Sequence, residues 1–473
     1  MESLNRKNLQ KLFLQTFGEK AGIPVKLPGA GSHREYYRMD FGGSRCIGVY
    51  SPDPLETRAF LEFTKHFSGL KLNVPRLLAE DADRGIYLLQ DLGDITLKEE
   101  VDQSRKEGDY PGRIIPLYKK ALKHLIRFQF EGHESLDYNV CVPRQEFDKQ
   151  SILWDLNHFK YYFIKLLGIP FDEQALENDF QAFSERLSEA GTDHFLYRDF
   201  QSRNIMIFND DLYFVDYQGG RRGALQYDVA SLLFESRVNL SHELREELLE
   251  YYLELVQEET GMPGVEFKKH YYSFVLIRIL QVLGAYGLRG IVENKALFLQ
   301  SIPFAIRNIE WMRENSLIPE GLPELSACLE RICRLDEWKF KEEPEELTVL
   351  ISSFSYKKGL PRDLSGNGGG FVFDCRALPN PGREEKYRSL TGKDMKVIEF
   401  LEVKQEVKEF LEETFSLVEK SVAEYRSRGF NNLMVSYGCT GGQHRSVYSA
   451  ERLEDYIKNE LKVNTMLVHR ELK

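Results

Sequence analysis

Two acids and an amide lie within eighteen residues: Asp199 and Asn204 in Tyr197-Arg198-Asp199-Phe200-Gln201-Ser202-Arg203-Asn204, and Asp216 in Val215-Asp216-Tyr217-Gln218. Transfer of a phosphoryl group from a nucleotide needs a carboxylate beside the acceptor hydroxyl and oxygen ligands for magnesium. Asp199 suits the first task. Asn204 and Asp216 suit the second, with ATP as donor and Mg2+ as the metal they hold. Asp199 and Asp216 also have a plainer reading, as ordinary turn and strand-end acids.

A second cluster suits anion binding. The apolar run 433–437 ends in Gly438-Cys439-Thr440-Gly441-Gly442-Gln443-His444-Arg445-Ser446, and helical spacing starts at Val447. Strand, glycine loop and helix N-terminus together point backbone N–H groups at an anion, each such interaction contributing roughly 0.3–2 kcal/mol. Gly441 and Gly442 let the chain turn without a Cβ in the way. Arg445 adds a fork for two phosphate oxygens. The expected phosphate ligands are Cys439, Thr440, Gly441, Gly442, Gln443, His444, Arg445 and Ser446. The Cys439-to-Arg445 spacing is also that of cysteine-dependent phosphatases, whose thiol is activated by the helix N-terminus and the arginine. Gly438 stands where those enzymes carry a His, and no general-acid Asp loop is evident, so binding without chemistry is the expectation.

The elements that must position these groups come from hydrophobic period. Short apolar runs in 24–50 and at 86–92 predict a small antiparallel sheet, with a helix over 55–67 between them. Leu117, Ala121, Leu122, Leu125 and Phe128 mark a buried helix, and further helices are expected at 145–167, 241–260, 266–290 and 294–315. A hairpin, 205–208 and 212–216, turns over Asn209-Asp210-Asp211 and returns Asp216 toward Asn204. Residues 336–346 are charged, contain Pro344 and lack periodicity, which marks a linker. Beyond it, strands at 348–354, 371–375, 433–437 and 463–468 alternate with helices at 394–428 and 447–460, the pattern of an α/β domain with a largely parallel sheet. Ligands of such sheets sit beyond the strand carboxyl ends, which brings Asp374 and Arg376 toward the Cys439 loop. An Asp374–Arg376 ion pair is the alternative for those two. Thr391-Gly392-Lys393-Asp394 is expected to cap the next helix.

The formal net charge of -11 argues against a general nucleic-acid binder. No leader-like apolar region opens the chain, no run of about 18 apolar residues suggests a membrane span, and six scattered cysteines lack any Cys-x-x-Cys pair. A reduced, cytoplasmic setting is expected.

Residues 10–335 resemble the protein-kinase-like phosphotransferases that include aminoglycoside phosphotransferases and choline kinases, and most of all the amino-sugar anomeric kinases. The likeness rests on Gly29-Ala30-Gly31-Ser32-His33-Arg34, Gln90-Asp91-Leu92-Gly93-Asp94, the Asp199 loop, Asp216-Tyr217-Gln218 and Tyr227-Asp228-Val229-Ala230. It implies an α+β two-lobe phosphotransferase over 1–335, with an N-lobe to about 93 and a C-lobe from about 94, acting on an amino sugar. It also implies nucleotide contacts from Gly29, Gly31, Ser32, Arg34, Gln90 and Leu92, and a bracing role for Asp228. Tyr197 replaces the frequent His of that family. The strand Cys46-Ile47-Gly48-Val49-Tyr50 lacks the cation many relatives carry there. Arg34 or Arg38 is the expected substitute, with Glu56 as partner, and a non-catalytic scaffold is the alternative. Residues 347–473 resemble the C-terminal domain of the RapZ family through Phe354-Ser355-Tyr356, Phe373-Asp374-Cys375-Arg376, Leu378-Pro379-Asn380-Pro381, Thr391-Gly392-Lys393-Asp394 and the Cys439 loop. That likeness implies a hexosamine-phosphate site and allows RNA as a partner. RNA binding in that family draws on a basic tail, and Glu471 interrupts the closing His469-Arg470-Glu471-Leu472-Lys473.

Overall fold

A computed structural model describes residues 2–28, 33–335, 338–339, 346–363, 365 and 369–472. Gly29, Gly31, Ser32 and most of the 336–346 linker lie outside the described residues. The chain forms two compact units, Met1–Leu288 with Phe304–Lys339, and Arg289–Pro303 with Phe340–Lys473.

The first unit opens with α1 (Glu2–Phe17) and a five-stranded antiparallel sheet: β1 (Val25–Lys26), β2 (Glu35–Phe41), β3 (Ser44–Tyr50), β4 (Leu77–Asp81) and β5 (Ile86–Gln90), in the order β1-β2-β3-β5-β4. Leu9 and Phe13 of α1 pack on Tyr37, Met39, Cys46 and Leu88. Between β3 and β4 runs α2 (Pro54–Gly69), started by Pro54 and by Asp53, whose carboxylate accepts from the Leu55 and Glu56 amides. In the β2–β3 register Tyr36 faces Val49 and Arg38 faces Ile47. The two-residue alternation of a strand therefore sets Arg34, Tyr36 and Arg38 on one face.

Helices dominate the chain from there to Cys333: α3 (Leu97–Glu107), α4 (Ile114–Gln129), α5 (Lys149–Phe159), α6 (Glu173–Ser188), α7 (Gln226–Leu233), α8 (His242–Thr260), α9 (Gly264–Tyr286), α10 (Ala296–Leu299), α11 (Ile302–Glu314) and α12 (Pro323–Cys333). Two short antiparallel pairs are set among them, β6 (His194–Leu196) with β9 (Arg221–Gly223), and β7 (Ile205–Phe208) with β8 (Asp211–Phe214). The β7–β8 turn uses only Asn209 and Asp210, both at positive φ (50° and 61°), as a tight two-residue hairpin requires. Asp211 therefore opens β8 instead of lying in the turn, and Asp216 falls beyond the strand, not at its end. Continuing past α9 to Val292, the helix is long and apolar enough by length and composition to cross a membrane, a candidate that run-counting missed. Its most apolar window is 61% buried inside the protein, however, and α9 packs against α5 and α7 as a core helix.

The second unit holds a four-stranded, wholly parallel sheet: β10 (Thr348–Ser355), β11 (Phe371–Asp374), β12 (Asn432–Cys439) and β13 (Asn464–His469), ordered β11-β12-β10-β13. The helix expected over 394–428 is two, α13 (Met395–Glu402) and α14 (Gln405–Ser427), because Lys404 turns extended (φ -88°, ψ 123°). With α15 (Arg445–Tyr456) they bury Val349, Ile351, Val435, Tyr437, Val418 and Leu453 in one core. Ser355 pairs with Cys439, and Asp374 with Gly438, so three strands end at the same edge.

Candidate functional site

A cleft of about 640 Å³ is lined by the sheet face (Arg34, Tyr36, Arg38, Ile47), by Gln90 at the end of β5 and Leu92 just after it, and by Asp199, Asn204 and Asp216. That size is typical of a small-molecule pocket. Ile47 is the β3 side chain that faces it, and it is apolar. The cation comes from one strand over. The Arg34 side chain, 3% exposed, pairs with Glu56 of α2 at 2.7 Å and with Asp216 at 3.2 Å. Burial opposes its charge, but Tyr36, Asp216, Tyr87 and Glu56 outweigh that, and the guanidinium stays firmly protonated. Arg38 has a different task. It grips Asp91 through Nε and Nη2 (2.7 and 3.1 Å) and also meets Asp94 at 2.9 Å, bracing the segment that joins the sheet to the helical lobe.

The Asp199 loop is held from beneath. Asp228 of α7, fully buried, accepts from the Tyr197 and Arg198 amides at 2.7 and 2.9 Å. Burial pushes its carboxyl up to about 7, against the pull of those two N–H groups. Tyr197 donates its hydroxyl to the Val215 carbonyl at 2.8 Å, tying the loop to the exit of β8. Asn204 Nδ2 donates to the Asp199 carbonyl at 2.9 Å, which leaves its amide oxygen available. Asp216 Oδ1 accepts from Gln218 Nε2 at 2.8 Å as well as from Arg34. Arg198 and Asp216 both sit at positive φ, 79° and 69°. Such backbone costs about 1–3 kcal/mol per residue and collects where function over-determines it. An amide oxygen and a carboxylate beside one cleft form a hard-oxygen donor pair of the kind Mg2+ takes with substrate phosphates. The pair fits the metal. Behind Asp199 lies a residue that sequence reading missed: Arg278 of α9, whose Nη2 donates to Asp199 Oδ1 at 3.3 Å.

At the parallel-sheet edge, Cys439 ends β12 and α15 begins at Arg445. Cys439 Sγ accepts from the Gly442 amide at 3.2 Å and lies 3.2 Å from Ser446 Oγ. Burial works to raise the thiol, but the Ser446 hydroxyl and amide, the Gly442 amide and the Arg445 charge hold it below the usual range. Gly438 has a packing reason: a Cβ there would meet the Phe354 and Tyr356 rings at 2.4 and 2.5 Å. Arg445 departs from expectation. Its Nη1 donates to the Arg376 and Leu378 carbonyls at 2.7 and 2.9 Å, so half the fork is engaged in tying the loop to the segment after β11. Its Nε is buried without a partner among the described residues. Asp374 and Arg376 form a bidentate ion pair (2.7–3.0 Å) stacked over Tyr356, the local pairing foreseen as the alternative. His444 Nε2 is anchored on the Tyr387 carbonyl. Asp394 stands at the N-cap of α13 but makes no side-chain cap bond; its carboxylate instead accepts from the Thr391 amide and hydroxyl, while the Gly392 amide donates to the Gln443 carbonyl at 2.8 Å and braces the loop. Glu471 packs on Gly442 and pairs with Lys358 at 2.5 Å.

The model of the phosphotransferase enzyme family, APH, matches residues 25–267. The chain belongs to that family. Residues 347–473 match the RapZ C-terminal domain. A nucleotide-binding protein of Ralstonia nicotianae is 41% identical over 131 residues, 28% of this chain and 42% of that protein. The RNase adapter protein RapZ of Yersinia pseudotuberculosis is 42% identical over 127 residues, 27% of this chain and 43% of that protein. The chain thus spans less than half the length of these curated relatives. Among solved structures, choline kinase LicA from Streptococcus pneumoniae aligns with 62% of this chain and 91% of its own, at 17% identity and a TM-score of 0.42.

In this member of the phosphotransferase enzyme family the Asp199, Asn204 and Asp216 side chains border one cleft, as do Arg34, Gln90 and Leu92. No single residue of the sequence announced Arg278: it lies 79 positions after Asp199, inside an apolar helical run. The one available signal was a charge at a position where the helical period calls for a core residue.

Proposed function

We propose that the chain is an ATP- and Mg2+-dependent kinase that phosphorylates a hydroxyl of an amino sugar, joined to a domain that binds a hexosamine phosphate, both in the cytoplasm. The observation that carries this reading is Arg34. A family member whose β3 turns no cation to the cleft, Arg45 being exposed and paired with Asp40, invites the scaffold alternative, and Arg34 supplies that cation from beside β2, already paired with Glu56 of α2. Arg34 holds the nucleotide phosphates, and Gln90 and Leu92 border the base. Asn204 and Asp216 hold Mg2+, which when bound neutralises phosphate charge as it develops. Asp199 aligns the acceptor hydroxyl and takes its proton. The second domain takes its ligand's phosphate on the 439–446 loop, with Arg445 offering only its Nε–Nη2 edge.

The scaffold reading keeps one specific support: the Arg34–Asp216 pair occupies a carboxylate the metal needs. Turnover decides. With ATP and Mg2+, the kinase reading expects phosphate on one hydroxyl of N-acetylmuramate, N-acetylglucosamine or glucosamine, located by NMR. ATP binding without transfer to any acceptor would establish the scaffold instead. Calorimetry with glucosamine-6-phosphate tests the second domain; no heat with the intact protein would remove that assignment.

A further inference from the structure

We propose that Cys375 and Cys439 form a modification site, a thiol pair that a hydroperoxide oxidises to a reversible disulfide at the start of the 439–446 loop. The inference goes beyond the ligand-binding role of that loop and does not depend on it.

The pair is set by register. Asp374 of β11 stands opposite Gly438 of β12, and the next residue along each of these parallel strands is a cysteine. Neighbouring strands run about 4.8 Å apart, inside the Cα separation of about 4.4–6.8 Å that a disulfide spans. Both sulfurs lie against α15. Cys439 Sγ is 3.2 Å from Ser446 Oγ, and Cys375 Sγ donates to Ser449 Oγ at 3.7 Å. Those two serines are i and i+3 on one helix, which makes them neighbours on a single face. Arg445 fixes the arrangement. Its bonds to the Arg376 and Leu378 carbonyls hold the short turn Cys375–Ala377 against the loop that begins at Cys439. The other four cysteines belong to the first unit.

The two sulfurs have different tasks. Burial works to raise both thiols, but at Cys439 the Ser446 hydroxyl and amide, the Gly442 amide and the Arg445 charge outweigh it, so this sulfur is the one that ionises. The loop residues Thr440, Gly441 and Gln443 are exposed, and a Cβ at Gly441 would meet nothing within 4 Å among the described residues. An oxidant as small as hydrogen peroxide fits that opening. The Cys439 thiolate attacks one peroxide oxygen: the S–O bond forms, the O–O bond breaks, and hydroxide leaves with its electron pair. Sulfur is oxidised to a sulfenic acid and the peroxide is reduced. Arg445 Nε, buried without a partner among the described residues, is a donor left for the departing oxygen. The hydroxide takes the Cys375 proton and becomes water. The Cys375 thiolate then attacks the sulfenic sulfur, the S–S bond forms, and the S–O bond breaks to release a second hydroxide. A thiol of high pKa is the stronger nucleophile once ionised, which suits Cys375 to the second step as the lowered pKa suits Cys439 to the first.

The test takes the full chain, fully reduced, through a small molar excess of hydrogen peroxide, then thiol counting and peptide mapping without reductant. The expected result is the loss of two of the six thiols, one linked peptide pair joining Cys375 to Cys439, and full recovery with dithiothreitol. In C375S the reaction should stop at a Cys439 sulfenic acid that dimedone captures, and in C439S Cys375 should stay reduced. The wild-type map needs no variant, so it decides alone if either substitution prevents folding. Six thiols intact after peroxide would overturn the proposal, as would oxidation that falls first on a cysteine of the first unit. So would Cys439 sulfenic acid accumulating equally in wild type and C375S, which would leave Cys375 no part in the reaction. None of these readouts involves ATP, a sugar or a sugar phosphate, so their failure is distinct from failure of the kinase or ligand readings.

Discussion

The cleft around Asp199 and the loop after Cys439 both receive an anion in the proposed function, and they are built from opposite materials. In the cleft every functional carboxylate already has an arginine: Asp216 has Arg34, Asp199 has Arg278, Asp91 has Arg38. The charges satisfy one another and must exchange partners when nucleotide and metal arrive. In the loop the donors are main-chain amides, and its one arginine is half engaged on carbonyls. Little there needs to move. Side-chain charge gives a site that reorganises during a reaction, whereas backbone dipoles give one preset to hold a ligand. That difference fits transfer in the first unit and binding in the second.

If the cleft is the reacting site, its base must matter most. D199N should lower kcat by about 10³-fold or more, in line with the loss of a positioned base, with the thermal transition kept within a few degrees. Full turnover in that variant would take the proton elsewhere. The next largest effect belongs to Arg34. R34M removes the charge but keeps the stem, and kcat/KM for ATP should fall about 100-fold, as for other phosphate-stabilising donors. R34K should recover a part, since a point charge replaces a fork. Unchanged ATP kinetics in R34M would return the scaffold reading to the front.

The contrast also decides what could be read from sequence. Asp199, Asn204 and Asp216 were legible because one loop and one hairpin bring them together over a short span. The Cys439 loop was legible because strand, glycines and helix come one directly after another. Arg278 was not, since only tertiary packing of α9 brings it to Asp199. Nor was the engagement of Arg445, which depends on where the carbonyls of Arg376 and Leu378 fall after β11. The break at Val403-Lys404 carries no Gly or Pro, so the helical period runs straight through it. Nor could sequence choose between Arg34 and Arg38, which share one sheet face; their tertiary partners do, Glu56 and Asp216 for the first and Asp91 and Asp94 for the second.

A preset loop should fail through its backbone. Gly442 sits at φ 70°, and a Cβ there would lie 2.3 Å from Glu471 Cγ and 2.9 Å from the Ser355 amide. G442A should therefore destabilise the second unit by about 1–3 kcal/mol and weaken glucosamine-6-phosphate binding at least tenfold, with sugar phosphorylation at the Asp199 cleft retained. Calorimetry and denaturation of the variant read both. Normal ligand affinity in G442A would mean that the loop is not preset, and the contrast with the cleft would dissolve.

The smallest effect concerns the one thiol of the loop, the group there that can become an anion. Burial pushes the other five thiols up, to about 12 for Cys46 and Cys141 and about 11 for Cys328 and Cys333, with Cys375 also raised. Cys439 alone is lowered. A depressed folded-state pKa contributes stability that is complete above the unfolded thiol value and is lost as pH falls through the folded one. The stability gap between wild type and C439S should therefore widen from pH 6 to pH 9.5 in denaturant titrations. A thiolate also repels an anion seated on the same amides. Sulfate, which does not titrate in this range, should bind less well as Cys439 ionises, and C439S should flatten that dependence. Tighter sulfate binding at high pH would contradict a loop that holds its ligand by neutral dipoles. Release of phosphate from a sugar phosphate, lost in C439S, would go further and make the thiolate a nucleophile, turning the binding half of the molecule into a second reacting site.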